Sequence, residues 1–385
     1  MDLLYGLFIS LVSFLTCLVC ASLIGRTKYF AFLSERRSRF GCIDGIRGFL
    51  ALSVFFHHFI ITYYWKVSGS WQRPPEDFFQ NLGKVGVAIF FMITGFLFFS
   101  RIVSQDQKIN WRKLYKSRIF RIYPLYLFVL TLISLIVFSN SDFVLKTSFS
   151  SVVKDYIRWG LFLGGTINDF SETKQIIAGV DWTLKYEWLF YLSLPLLYLV
   201  YKVLGRWGLI ASALLTVILF LYPISIPFIS SSFFIYFTAG AIISQCANKL
   251  ENLVEKRHSI VSALSVLIIA LVLVYPNSLD LIHILLMSFL FLFIAAGNSM
   301  FKSFSSKASI VLGEISYSIY LTHGIVLYTL FSGENGEEIA FLSIEKYALL
   351  MPFVSVVVVL FSSLTFLLIE KPGIDLGKKL KLFNS

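Results

Sequence analysis

The apolar residues of this chain neither alternate nor line one face of helices; they run on. Near-continuous apolar stretches occupy 3–24, 44–64, 83–100, 119–138, 185–201, 207–222, 229–246, 259–275, 280–297, 312–331 and 346–369, separated by segments rich in charge, Pro and Gly. Each approaches the roughly 20 residues that a helix needs to cross bilayer hydrocarbon. A chain in hydrocarbon satisfies its backbone hydrogen bonds within helices or a closed barrel. The pattern therefore predicts an all-α, polytopic membrane helix bundle of about 11 transmembrane helices. The longest interval between spans is 139–180, where Tyr156, Trp159 and Phe162 or Leu163 recur at helical spacing and predict a short interfacial helix over 152–163. This interval is long enough to cover a site from the outer face. No repeat of fixed period marks a solenoid.

Composition points the same way: 57% of the 385 residues are apolar and 14% charged, where soluble chains average about 25% charged. The net charge of +11 fits either a nucleic-acid partner or a membrane-orientation signal, and its distribution decides. Only Asp2 precedes the first span, while Arg26, Lys28, Arg36, Arg37 and Arg39 follow it. This argues against a cleaved signal peptide and puts the amino terminus outside. Alternation from there places 23 of the 33 Lys and Arg in cytoplasmic stretches, and leaves the outer loop 332–345 acidic, with Glu334, Glu337, Glu338 and Glu345. The excess is topological, as the positive-inside rule requires. The expectation is a multi-pass protein of the cytoplasmic (inner) cell membrane, with lipid around it, its carboxyl terminus cytoplasmic and no nucleic-acid partner. Cys17, Cys20, Cys42 and Cys246 have no metal-ligand spacing with a His and read as packing residues, so no metal is expected.

An ionisable side chain inside a span is costly and marks function by default. The second span holds Asp44-Gly-Ile-Arg47-Gly and, further on, His57-His58. On a helix, the eleven residues from Arg47 to His58 return to within about 20° of one face and advance about 16 Å, whereas His57 falls about 80° away. His58 is the histidine aligned with Arg47, with the arginine at the cytoplasmic end and the imidazole near mid-bilayer. Arg118 and Arg121 enter the fourth span on one face, a basic fork suited to the phosphates of an anionic cofactor or to anionic lipid. At the outer mouth of the fifth span, Asp181-Trp182-Thr-Leu-Lys-Tyr-Glu187 carries Glu187 into apolar sequence. There it pairs with Lys185 or serves an acceptor hydroxyl, and Trp182, Tyr186 and Trp188 form an aromatic belt or stack on a sugar ring. In the tenth span Ser316, Tyr320 and His323 share one stripe, which either glues helices or works chemically. Glu314 lies off that stripe at the expected helix start, where a carboxylate suits the dipole. His283 reads as structural.

These pieces resemble acyltransferase family three, integral-membrane acyltransferases that O-acylate bacterial surface polysaccharides and other extracytoplasmic acceptors. The resemblance rests, in order, on Asp44-Gly-Ile-Arg-Gly…His58-Phe, Gly86-Val-Ala-Ile-Phe-Phe-Met-Ile-Thr-Gly95-Phe, Arg118-Ile-Phe-Arg121-Ile-Tyr-Pro, Trp182-Thr-Leu-Lys-Tyr-Glu187-Trp-Leu-Phe-Tyr, Leu312-Gly-Glu-Ile-Ser-Tyr-Ser-Ile-Tyr-Leu-Thr-His323 and Ile369-Glu-Lys-Pro372. It covers roughly 42–375. Thr94 and Thr183 stand where the family commonly has Ser, which keeps the hydroxyl.

The resemblance implies a ten-helix acyltransferase domain over 42–375, preceded by an extra helix and basic loop over 1–41 and followed by a short basic tail over 376–385. It also implies an enzyme that transfers a group other than aminoacyl, as a rule an O-acetyltransferase. Acetyl-CoA or another acyl-CoA is the cytoplasmic donor substrate, no cofactor is permanently bound, and the acceptor is a hydroxyl of an outer glycan or lipid-linked glycan. Arg118, Arg121 and Arg47 would hold the donor's phosphates, with Asp44 holding Arg47. His58 would act as general base or as transient acyl carrier. Glu187 and His323 would orient the acceptor or His58, with Trp182 and Tyr320 in support. The alternatives are a secondary transporter, although no corresponding inverted halves are visible, and a non-catalytic membrane partner of a glycan export pathway. Acceptor identity, the acyl group and oligomeric state stay open at this level.

Overall fold

The computed structural model describes residues 1–35, 41–104, 109–276 and 280–380. Arg36, Arg37, Arg39 and Lys108, counted above among cytoplasmic charges, and the last five residues of the expected tail lie outside them. The described chain is a bundle of helices: α1 (Leu3–Ile24), α2 (Phe32–Glu35), α3 (Gly41–Ser68), α4 (Asp77–Ser104), α5 (Trp111–Ser139), α6 (Phe149–Gly160), α7 (Trp182–Leu204), α8 (Arg206–Leu221) and α9 (Phe234–Lys256). There follow α10 (His258–Val274), α11 (Leu281–Ala295), α12 (Lys307–Glu314), α13 (Ser316–Phe331), α14 (Glu334–Ala340), α15 (Ile344–Ala348), α16 (Met351–Thr365) and α17 (Lys371–Lys379). A two-residue hairpin, Ser225–Ile226 paired with Ile229–Ser230, is the sheet among the described residues.

Each of the eleven predicted stretches corresponds to helix, but the helices differ in length and continuity. Among the described residues six helices are long and apolar enough to cross a membrane: α1, α3, α4, α5, α7 and the run Ile344–Lys379. Two bent pairs, α9 with α10 at 114° and α12 with α13 at 67°, bring the number to eight when each pair is one span. Helices α8 and α11 are shorter apolar helices of 16 and 15 residues. The tenth predicted span is thus two helices with a break at Ile315. Glu314 ends α12 instead of opening a helix, so the dipole does not favour its carboxylate there; its charge faces Arg47 and Arg121.

Close backbone contact between helices rests on glycine. A Cβ at Gly95 on α4 would lie 2.0 Å from the Phe237 carbonyl oxygen, and one at Gly240 on α9 would lie 1.9 Å from that of Met92. Small residues facing each other in this way let helices pack where no hydrophobic effect draws them together. Helix α1 packs against α12 and α16. The helix expected over 152–163 is present as α6, starting three residues early, where the Ser148 side chain caps it by accepting from the Ser151 N–H. Its Trp159 is fully buried, and the carbonyl of that residue accepts from Tyr126 Oη at 2.7 Å. Beyond it the 3-10 turn Ser171–Ile177 lies across α13. His283 is buried, donates from Nε2 to the Val272 carbonyl at 2.9 Å and stacks on Tyr275, the structural role expected of it.

Candidate active site

Helix α3 is unbroken from Gly41 to Ser68, so the phase relation between Arg47 and His58 holds along it. The helix is seated by its own motif. A Cβ at Gly45 would meet the Phe304 carbonyl oxygen at 1.8 Å, and one at Gly313 would meet that of Asp44 at 1.8 Å. The Asp-Gly-Ile-Arg-Gly and Leu-Gly-Glu-Ile-Ser motifs are therefore two halves of one helix contact between α3 and α12, which sets Arg47 beside the break at Ile315.

At the far end of α3, His58 Nδ1 lies 3.0 Å from His323 Nε2 on α13, with the rings nearly parallel and their centroids 5.1 Å apart. The hydrogen-bond pattern sets the protons. His323 Nδ1 lies 2.9 Å from the Ile319 carbonyl, which only accepts, so Nδ1 carries the proton and Nε2 of the neutral ring carries a lone pair. His58 must then donate from Nδ1, which leaves its Nε2 as the basic nitrogen. A chain of carbonyl, His323 and His58 thus orients a base as a second group does in catalytic triads. Trp71 also stacks on His58, centroids 6.2 Å apart. His58 opens into a cavity of about 240 Å³ that also touches Arg73, Lys84, Trp182, Tyr236 and Tyr320. His57 lines it too, with Nδ1 donating to the Phe79 carbonyl at 2.9 Å.

Toward the other end of α3 a second cavity, about 230 Å³, gathers Arg47, Arg118, Arg121, Glu187, Tyr191 and Ser316. Asn110 caps α5 by accepting from the Lys113 N–H, so Arg118 and Arg121 lie on one unbroken helix and reach the cavity together. The Arg118 guanidinium sits over the rings of Phe98 and Tyr191, at 5.3 and 5.9 Å from their centroids. Its Nε and the Ser316 hydroxyl are buried with no partner among the described residues. Unpaired buried donors beside arginines fit an incoming anion. Glu187 accepts from Tyr191 Oη at 3.1 Å. Asp44, Glu314 and Glu370 supply the negative charge around Arg47. The two cavities share two lining residues, Val87 and Tyr320, and Tyr320 Oη is held at 2.9 Å from Thr183 Oγ1.

The structure thus brings Arg47, Arg118 and Arg121 together, with Asp44 near, and separately brings His58, His323 and Trp182 together. Ser316, Tyr320 and His323 run as a stripe from one cavity to the other. Glu187 differs from expectation: it belongs to the arginine cavity, away from His58 and unpaired with Lys185, whose Nζ lies over the Tyr186 ring at 5.6 Å. Sequence reading assigned no role to Glu370, which is 1% exposed and accepts from Ser318 Oγ at 2.8 Å while facing Arg121 and Arg47. It ends a π-helical stretch, Phe366–Glu370, a distortion common at functional sites. An acid directly after the apolar 346–369 run was the available signal. Tyr191 was also missed, one turn after Glu187.

Comparison with known proteins accords with these motifs. A family profile described as an acyltransferase domain, Acyl_transf_3, matches residues 40–369. The chain is 27% identical over 299 residues to a putative acetyltransferase, ORF330, of Acidianus two-tailed virus, covering 73% of this chain and 81% of that protein. It is 27% identical over 210 residues to acyltransferase MdmB of Streptomyces mycarofaciens, covering 52% of this chain and 49% of that one. An uncharacterized protein of Haemophilus influenzae is 30% identical over 153 residues, 38% of this chain and 61% of its own length. No solved structure matches. The chain belongs to acyltransferase family three.

Proposed function

We propose that the protein is an O-acetyltransferase of the cytoplasmic cell membrane, crossing it eleven times with the amino terminus outside and the carboxyl terminus inside. Acetyl-CoA, as substrate, is gripped on the cytoplasmic side by Arg47, Arg118 and Arg121, whose planar forks suit phosphate. Its thin thioester arm passes Tyr320 toward His58. The acceptor, a glycan hydroxyl, enters the His58 cavity from outside. His58 Nε2 takes the hydroxyl proton, the hydroxyl oxygen attacks the thioester carbonyl carbon, and the carbon–sulfur bond breaks. The CoA thiolate leaves and recovers the proton from His58. In the acyl-carrier version Nε2 itself attacks the thioester carbon, the carbon–sulfur bond breaks and CoA leaves as thiolate, and the acceptor oxygen then displaces Nε2 while its proton passes to that thiolate; both need the Nδ1-protonated tautomer. The observation that supports this reading is the pairing of a carbonyl-oriented histidine dyad in one cavity with three convergent arginines in the adjoining one.

Binding of labelled acetyl-CoA to the purified protein, followed by transfer of label to a surface-glycan fraction, is the test. His58→Ala is expected to abolish transfer with the protein still folded, and His57→Ala to be far milder, since its Nδ1 is committed to Phe79. Absence of acetyl-CoA binding would favour a transporter or a scaffold, and equal loss from both histidine changes would sink the assignment of His58.

A further inference from the structure

The His58 cavity is asymmetric in charge. Arg73 and Lys84 reach it from different segments, the loop before α4 and α4 itself, and lie close enough to repel each other and to act together on His57. Asp77 faces Lys84, and no carboxylate lines the cavity among the described residues. Trp182, Phe233 and Tyr236 line it as well, and Trp71 stacks on His58. Tyr236 is 2% exposed, lines this cavity, and its hydroxyl has no partner among the described residues. A buried hydroxyl without a partner is costly unless something else meets it. Gln80, which accepts from Lys84 Nζ at 3.3 Å, adds a further polar group to the lining.

We infer that the acceptor is an anionic sugar, its ring against the aromatic side chains, its hydroxyl at His58, and a carboxylate or phosphate between Arg73 and Lys84. Two cations around one oxyanion relieve their mutual repulsion and recognise it by charge-assisted hydrogen bonds, while Tyr236 donates to a ring substituent. This inference rests on the acyltransfer reading for the direction of the chemistry, but the binding preference is measurable without turnover.

The purified full-length protein is titrated with methyl glucuronide, glucose 1-phosphate and methyl glucoside, following tryptophan emission from Trp71 and Trp182. At least one anionic sugar is expected to bind tenfold or more tighter than the glucoside, and its carboxylate or phosphate names the source of the charge. Arg73→Gln and Lys84→Gln are each expected to bring that ratio to within twofold of unity, while Arg73→Lys retains it. Equal binding of the neutral glucoside, a ratio unchanged in both glutamine variants, or no saturable binding by any of the three overturns the inference. Acetyl-CoA affinity is measured on the same samples: its absence with the sugar preference intact rejects the acyltransfer reading alone, and the converse rejects this inference alone.

Discussion

Replacing His323 by Ala isolates the step on which the chemistry depends. The side chain accepts from His58 Nδ1–H at 3.0 Å while tied to the Ile319 carbonyl at 2.9 Å. Without it that N–H loses its side-chain acceptor and keeps only the backbone of Val54, at a cost of up to about 1–3 kcal/mol. The penalty falls on the one tautomer that leaves Nε2 basic, so it is transmitted to the barrier. At tenfold per about 1.4 kcal/mol, kcat should fall by about 5- to 150-fold. His323→Gln presents a carbonyl near the place of Nε2 and should recover most of the loss, which a general packing defect would not allow. The assay is initial-rate transfer from labelled acetyl-CoA at saturating donor, alongside thermal unfolding in detergent. A kcat within twofold of the parent in His323→Ala, or a Gln variant no better than the Ala one, would refute the tautomer reasoning.

Two further outcomes follow from the same structure. Arg118→Ala with Arg121→Ala removes two charge-assisted contacts of about 1.5–3 kcal/mol each, so acetyl-CoA dissociation measured by equilibrium binding should weaken a hundredfold or more; unchanged affinity would end the phosphate assignment. Burial pushes the Asp181 carboxyl, just before α7, up from 3.8 to about 6 against the pull of Lys174 and Lys185. Because the folded value is the raised one, the stability tied to the neutral acid is present below 3.8 and lost as pH rises through about 6. That gap corresponds to about 3 kcal/mol. Asp181→Asn should therefore unfold at a higher temperature than the parent at pH 7.5, with the advantage shrinking below pH 5; an advantage independent of pH would contradict the burial argument.

Much of this was legible before any coordinates. Run length alone located the helices, because hydrocarbon demands continuous apolar sequence, and an unbroken α3 made the Arg47-to-His58 phase exact enough to choose His58 over His57. Arg118 and Arg121 were legible for the same reason, lying three apart on one helix. What stayed hidden was depth and long-range meeting. Glu187 lies six residues past Asp181, yet which cavity it joins depends on where α7 stands against α5. The break at Ile315 has no Pro or Gly at that residue; Gly313, two residues before it, lies against the Asp44 backbone. Glu370 stood in the sequence only as part of the Ile369-Glu-Lys-Pro372 motif, and its meeting with Ser318 and Arg121 depends on packing between distant segments. Arg73, Lys84 and Tyr236 converge from distant segments, and no spacing rule connects them.

The central claim is that an acyl group passes through this protein from one face to the other by way of His58. The direct measurement uses sealed inverted membrane vesicles containing the protein, with a mixture of sugar acceptors trapped in the lumen and labelled acetyl-CoA added outside. The account predicts label on lumenal sugar with the parent protein and none with His58→Ala, while external acceptor stays unlabelled. Equal labelling of acceptor on the donor's own side, or undiminished lumenal labelling in the His58 variant, would contradict it.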